Sequence, residues 1–136
     1  MLTLPDDVAR ILPATLIDPT AWQEALRAGL PRVCPVILFR QITGTHKQEG
    51  GGWMRGMPRG AADLGGWARG GLGVQIEAKL GGGRPGPDQR RWRKVSGTWG
   101  AVHLFAHANT TDPTVDQVLR VAVALNAALR ARGVEA

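Results

Sequence analysis

The chain has 136 residues, room for one domain with a modest core and too few for two. Hydrophobic residues make up 43%, so a packed core needs no disulfides, and the single cysteine can form no internal bridge. Lys and Arg number 17 against 11 Asp and Glu, and the net charge of +6 is carried mostly by arginine, whose planar donor fork suits phosphate oxygens. Such a balance fits a nucleic-acid binder, although charge of this kind also serves solubility. No stretch reaches the roughly 18–20 apolar residues that cross a bilayer. The start, MLTLPDDVAR, carries acids and lacks a secretory signal's apolar run. A soluble cytoplasmic protein is therefore expected. Cys34, inside the run CPVILF, is expected to be a buried thiol.

The first predicted element is a helix over Asp18–Leu30, capped by Asp18, with Pro19 in its first turn and Pro31 closing it. The apolar Val33–Gln41 reads as a buried strand. Thr43–Gly60 is glycine-rich, carries Lys47, Arg55 and Arg59, and lacks periodicity, so it reads as a long flexible loop. Ala61–Trp67 and Leu72–Leu80 form an antiparallel hairpin around the turn Ala68-Arg69-Gly70-Gly71. A helix follows from Pro87 to Ser96, with Gly86 as cap and with Trp92 and Val95 on its core face. Ala101–Ala106 is a short strand, and Thr114–Arg132 a final helix stopped at Gly133. Five tryptophans are present, and most of them suit the core. The order helix, strand, strand, strand, helix, strand, helix predicts an α/β fold with a central mixed sheet flanked by helices.

Within Val74–Leu80, side chains alternate between faces. Ile76, Ala78 and Leu80 share the core face; Gln75, Glu77 and Lys79 share the other. With the turn tip at Arg69–Gly71, Asp63 lies opposite Glu77, and opposed residues project to one face. Two carboxylates and an ammonium group would then converge. Close carboxylates stay ionised together only with a cation between them, and Mg²⁺ prefers such oxygen ligands. An ion there would polarise a phosphodiester, and Lys79 could stabilise the charge that develops on it. An E-x-K strand motif is equally what a cross-strand ion pair on a solvated face looks like.

Taken together, four pieces in order resemble the VRR-NUC family, the virus-type replication-repair nucleases of the PD-(D/E)XK superfamily. They are FRQITGT (Phe39–Thr45), GAADLGGW (Gly60–Trp67), IEAKLGGGRPGPDQ (Ile76–Gln89) and GAVHLFA (Gly100–Ala106), spread over the run from Phe39 to Ala106, which is about half of the chain. The resemblance implies one VRR-NUC-like nuclease domain over residues 1–136 with a PD-(D/E)XK core. It implies Asp63, Glu77 and the backbone carbonyl of Ala78 as ligands of Mg²⁺ or Mn²⁺, and Lys79 as the catalytic lysine. Gln89 matches the family's helix glutamine beside that lysine, in a first turn whose dipole favours phosphate. Arg84 matches a Gly-Arg loop that touches substrate, or is a solvated loop arginine. Gly86 stands where the family often has a serine cap. The family usually carries an acid on its first helix, and Glu24 is the candidate here, with a solvated helix glutamate as the alternative.

Arg40, Lys47, Arg55, Arg59, Arg84, Arg90 and Arg93 are the candidate DNA contacts, with Trp53 the candidate base-stacking residue. His46, His103 and His107 lack metal-ligand spacing and receive no role. The last helix carries a core stripe of Val115, Val118, Leu119, Ala122, Leu125 and Leu129. Its surplus at Val121, Ala124 and Ala128 suggests a dimer face. Members of the resembled family that stand alone are similar to homodimeric resolvases of branched DNA, so a homodimeric, structure-selective endonuclease of Holliday-junction-like DNA is expected. A compact nuclease of this kind would fit a phage or a mobile element. A non-catalytic DNA-binding module on the same fold is the alternative, and a structural component with no salt-sensitive DNA affinity a third reading.

Overall fold

The computed structural model describes residues 1–135; of Thr45 and His46 only the backbone is described. Its elements are α1 (Asp6–Ile11), α2 (Pro19–Val33), β1 (Val36–Arg40), β2 (Thr45–Lys47), β3 (Trp53–Arg55), β4 (Leu64–Ala68), β5 (Gly73–Leu80), α3 (Pro87–Thr98), β6 (Val102–Ala108) and α4 (Thr114–Arg130). Four strands form one mixed sheet in the order β1-β4-β5-β6, with only the β5–β6 pair parallel. The parallel step is possible because α3 supplies the crossover between β5 and β6. The mixed α/β architecture with flanking helices is as expected.

Alternation along the strands gives the sheet two unlike faces. Val36, Leu64, Val74, Ile76, Val102 and Ala106 point to the inner face and are buried. There α2 and α4 pack against the sheet and each other. Trp22 is fully buried on α2 and its indole N–H donates to the Ala106 carbonyl at 2.9 Å, which ties helix to sheet. Gly29 lets α4 approach, since a Cβ there would lie 2.7 Å from a methyl of Val118. Cys34 is buried as expected, its thiol directed at the Ala122 carbonyl, and burial pushes its pKa up to about 11.

Several boundaries differ from expectation. Asp18 does cap α2, accepting from the Ala21 amide at 2.7 Å, but Pro31 does not end the helix. A proline forfeits one amide, and so close to the end the loss is tolerated. The helix continues to Val33 and closes with the Cys34 amide on the Leu30 carbonyl. The first sheet strand accordingly begins only at Val36. The stretch Thr43–Gly60, expected as a loop, contains the antiparallel pair β2–β3. The short helix α1 was not anticipated; six residues show too little periodicity to read. Of the tryptophans only Trp22 belongs to the core, while Trp53, Trp67 and Trp99 are exposed and Trp92 is half-buried. On α4, Val121 is consumed by the core and Val123 and Ala124 are exposed.

Candidate metal centre

The β4–β5 register pairs Leu64 with Ile76 and Trp67 with Gly73. The turn is closed by the Ala68 amide on the Leu72 carbonyl at 2.7 Å and the Gly71 amide on the Ala68 carbonyl at 3.0 Å. Antiparallel ladders alternate hydrogen-bonded and non-bonded pairs, so this register would make Ala62 and Ala78 a bonded pair. They do not pair, because the chain leaves the sheet before Leu64. Asp63 takes over: its Oδ2 accepts from the Ala78 amide at 2.9 Å. The Ala62 carbonyl is satisfied instead by the Gln41 side-chain amide at 3.0 Å. An extended residue points its N–H and C=O to the same side. The carbonyl of Ala78 is therefore directed towards the edge where Asp63 sits.

Glu77 lies on the outer face and is only 4% exposed. The Gln89 side-chain amide nitrogen donates to its Oε1 at 2.8 Å, and the Gly86 backbone amide in turn donates to Gln89 Oε1 at 3.0 Å. The first turn of α3 is thereby pinned to β5. Oε2 of Glu77 is buried without a hydrogen-bond partner. Burial, then the neighbouring charge and carboxyl group of Asp63, push the Glu77 pKa up to about 8, against the pull of Lys79 and the Asp63 backbone. The Asp63 carboxyl and the Lys79 ammonium group are thus both near enough to act on the Glu77 carboxyl. A carboxylate oxygen stripped of water and partner is costly unless a cation or proton neutralises it.

A polar network supports this arrangement. Gln41 donates to Gln75 Oε1 at 2.9 Å, and the indole N–H of Trp92 donates to the same oxygen at 2.9 Å. Gly65 makes room for it, since a Cβ there would run into the Gln41 side chain. Trp92 therefore faces the polar side of the sheet, not an apolar core. Val95 is 43% exposed, so neither residue has the place expected of it, and Ser96 is buried instead. The cause is that α3 lies on the outer face, whose β5 residues are Gln75, Glu77 and Lys79. Gly60 lets the strand-entry segment touch α3, because a Cβ on it would meet the Asp88 backbone.

The β5–β6 register adds His103, Phe105 and His107 opposite Gln75, Glu77 and Lys79. His103 is held neutral, with a pKa lowered to about 4 by burial and then by Arg93. Arg93 itself sits over the Phe105 ring at 5.3 Å. His107 is exposed beside Lys79, a proximity that strand spacing alone could not reveal. Gln41 was also missed, because its partners Gln75 and Ala62 are distant in sequence.

Glu24 is not brought to this centre. It lies on α2, on the inner side of the sheet, and Arg27 holds it at 2.8 Å and lowers its pKa. Among the described residues no three His, Cys, Asp or Glu side chains cluster as a metal site, so Asp63 and Glu77 stand as a pair. The candidate DNA contacts Arg40, Lys47, Arg55, Arg59, Arg84, Arg90 and Arg93 are all exposed. Arg90 donates to the Pro85 carbonyl at 2.6 Å. Among the described residues no helix is long and apolar enough to cross a membrane. Compared with protein-family models, curated proteins and solved structures, the chain matches none.

Proposed function

We propose that this chain is a metal-dependent DNA nuclease with a PD-(D/E)XK-like core, resembling the VRR-NUC family. The observation that carries the reading is the unpartnered, buried Oε2 of Glu77 beside the Asp63 carboxyl. A hard divalent cation such as Mg²⁺ or Mn²⁺ suits this all-oxygen donor set. Asp63 and Glu77 would hold it, with the Ala78 carbonyl the available third oxygen. When bound, the ion supplies the positive charge that polarises a phosphodiester.

The chain's own residues do the rest. Gln89 fixes the rotamer of Glu77 from the far side, leaving Oε2 for the ion. The Ala78 amide fixes Asp63 in the same way. Lys79, two residues from Glu77 on the same face, offers an ammonium group to the charge that develops on the phosphoryl oxygens during attack by water. Arg55, Arg59, Arg84, Arg90 and Arg93 hold the DNA backbone, while Arg40 shares the inner face of β1 with Val36, on the Glu24 side of the sheet. Two such centres in a homodimer would cut both strands of a branched substrate; the exposed Val123 and Ala124 on α4 are the available apolar contact.

The test is incubation of the full chain with branched, flapped and linear DNA plus Mg²⁺, against Lys79→Ala and Asp63→Ala. Cleavage by the wild type and loss in both variants is the expected result. Salt-sensitive binding with no cleavage under any divalent ion would instead favour a DNA-binding module. Cleavage unaffected by both substitutions would remove the assignment. A chain that stays monomeric at micromolar concentration, with and without DNA, would remove the dimer.

A further inference from the structure

We propose that the β2–β3 arm is a wedge that stacks Trp53 on an exposed base at a discontinuity in DNA, with Lys47 and Arg55 on the flanking phosphates. The proposal rests on the reading that DNA is the substrate, and it names the feature of the DNA that is recognised.

The arm grows from the edge of the candidate metal centre. The chain leaves β1 at Arg40, and the next amide, that of Gln41, donates to the Asp63 carbonyl at 2.7 Å. Beyond it the arm's root is clamped by the Met57 amide on the Ile42 carbonyl at 2.7 Å, the Gly44 amide on the Met57 carbonyl at 3.0 Å and the Gly56 amide on the Gly44 carbonyl at 2.7 Å. Gly56 is required there, because a Cβ would meet the Ile42 carbonyl. The root is thus fixed to the sheet end that carries Asp63, and the rest projects outward.

The register pairs Lys47 with Trp53 and Thr45 with Arg55. Alternation then puts Lys47, Trp53 and Arg55 on one face of the ribbon. Trp53 is 69% exposed, and none of the three side chains forms an ion pair or hydrogen bond with any described residue. An aromatic ring flanked by two unengaged cations is the chemistry that takes a base and its neighbouring phosphates. Glu49 is the only acid between Gln41 and Gly60. A two-stranded ribbon with no core of its own is marginal in water, so burying Trp53 against a base would stabilise it.

A regular duplex conceals its base faces in the stack, whereas a branch, flap or end exposes one. Trp53 is four residues beyond Met57, about 13 Å along an extended strand at ~3.3 Å per residue. That reach is about four base steps of ~3.4 Å. Cuts should therefore fall away from the discontinuity itself, on the side of the arm's root.

The experiment compares wild type, Trp53→Ala and Trp53→Phe on a labelled linear duplex and on the same duplex carrying a three-way branch, in EDTA to prevent cleavage. A 2-aminopurine at the branch reports stacking. The ratio of branched to linear affinity should fall about tenfold in Trp53→Ala and be largely kept in Trp53→Phe. Quenching of the 2-aminopurine should follow the same order. An unchanged ratio with no difference in quenching would overturn the wedge even if Lys79-dependent cleavage persisted. Self-association lost in Trp53→Ala with no effect on DNA would overturn it in favour of a second copy as the partner. Failure of the wild type to bind any DNA would overturn both the wedge and the reading on which it rests.

Discussion

Replacing Glu77 by Gln should make the metal-free protein more stable at pH 8.5 and leave it nearly unchanged at pH 5. The Glu77 carboxyl sits at a pKa of about 8 in the fold against 4.5 ordinarily. Below the ordinary value it is neutral in both folded and unfolded chains and contributes no difference. Between the two values the unfolded chain ionises while the folded chain keeps its proton, so stability falls as pH rises. Above about 8 both states are ionised and the folded protein carries the full penalty of a buried charge beside Asp63. That penalty is on the order of a few kcal/mol. The amide oxygen of Gln can still accept from Gln89, so the substitution removes the charge while keeping that contact. Urea unfolding of both proteins in EDTA at pH 5, 6.5 and 8.5 measures the effect. A stability difference that does not change with pH would refute the placement of Glu77 as a buried acid next to a second one.

Three further outcomes follow from the same contacts. Gln89→Ala frees the Glu77 carboxylate to rotate and should lower Mn²⁺ affinity by about 10–100-fold with the circular dichroism spectrum intact, read by calorimetry. Gly60→Ala combines a φ of +87° with a clash against the Asp88 backbone. It should cost about 1–3 kcal/mol in urea unfolding and weaken Mn²⁺ binding as well, because it displaces the helix start that carries Gln89. Trp22→Phe removes the indole donor to the Ala106 carbonyl and shrinks a fully buried side chain, and should destabilise by about 1–3 kcal/mol in the same assay, with Mn²⁺ affinity unchanged.

The part of the site that lies on one hairpin was legible in the sequence. Alternation put Glu77 and Lys79 on one face, and the glycine turn after Ala68 set the register as far as the Leu64–Ile76 pair, one residue short of Asp63; both depend only on local geometry. Residues whose place depends on packing were not legible. Trp92 reads as a core residue by helical periodicity, yet α3 covers a polar face, so the indole bonds to Gln75. Glu24 sits on a helix whose rotation against the sheet is set by Trp22 and Leu26, and that rotation leaves it part-exposed, where Arg27 one turn along the same helix holds it. Pro31 reads as a stop because the rule cannot weigh one lost amide against the packing of Leu30. The arm was hidden because two three-residue strands among glycines give no periodic signal, although Lys47, Arg55 and Trp53 were visible as a basic and aromatic cluster.

The most direct measurement is a calorimetric titration of the full chain with Mn²⁺ at pH 7, in two buffers of different ionisation enthalpy. A saturable site should appear, with release of close to one proton as Glu77 ionises, and it should vanish in Asp63→Asn. Absence of saturable binding, or binding without proton release that survives Asp63→Asn, would contradict a shared ion between these two carboxylates.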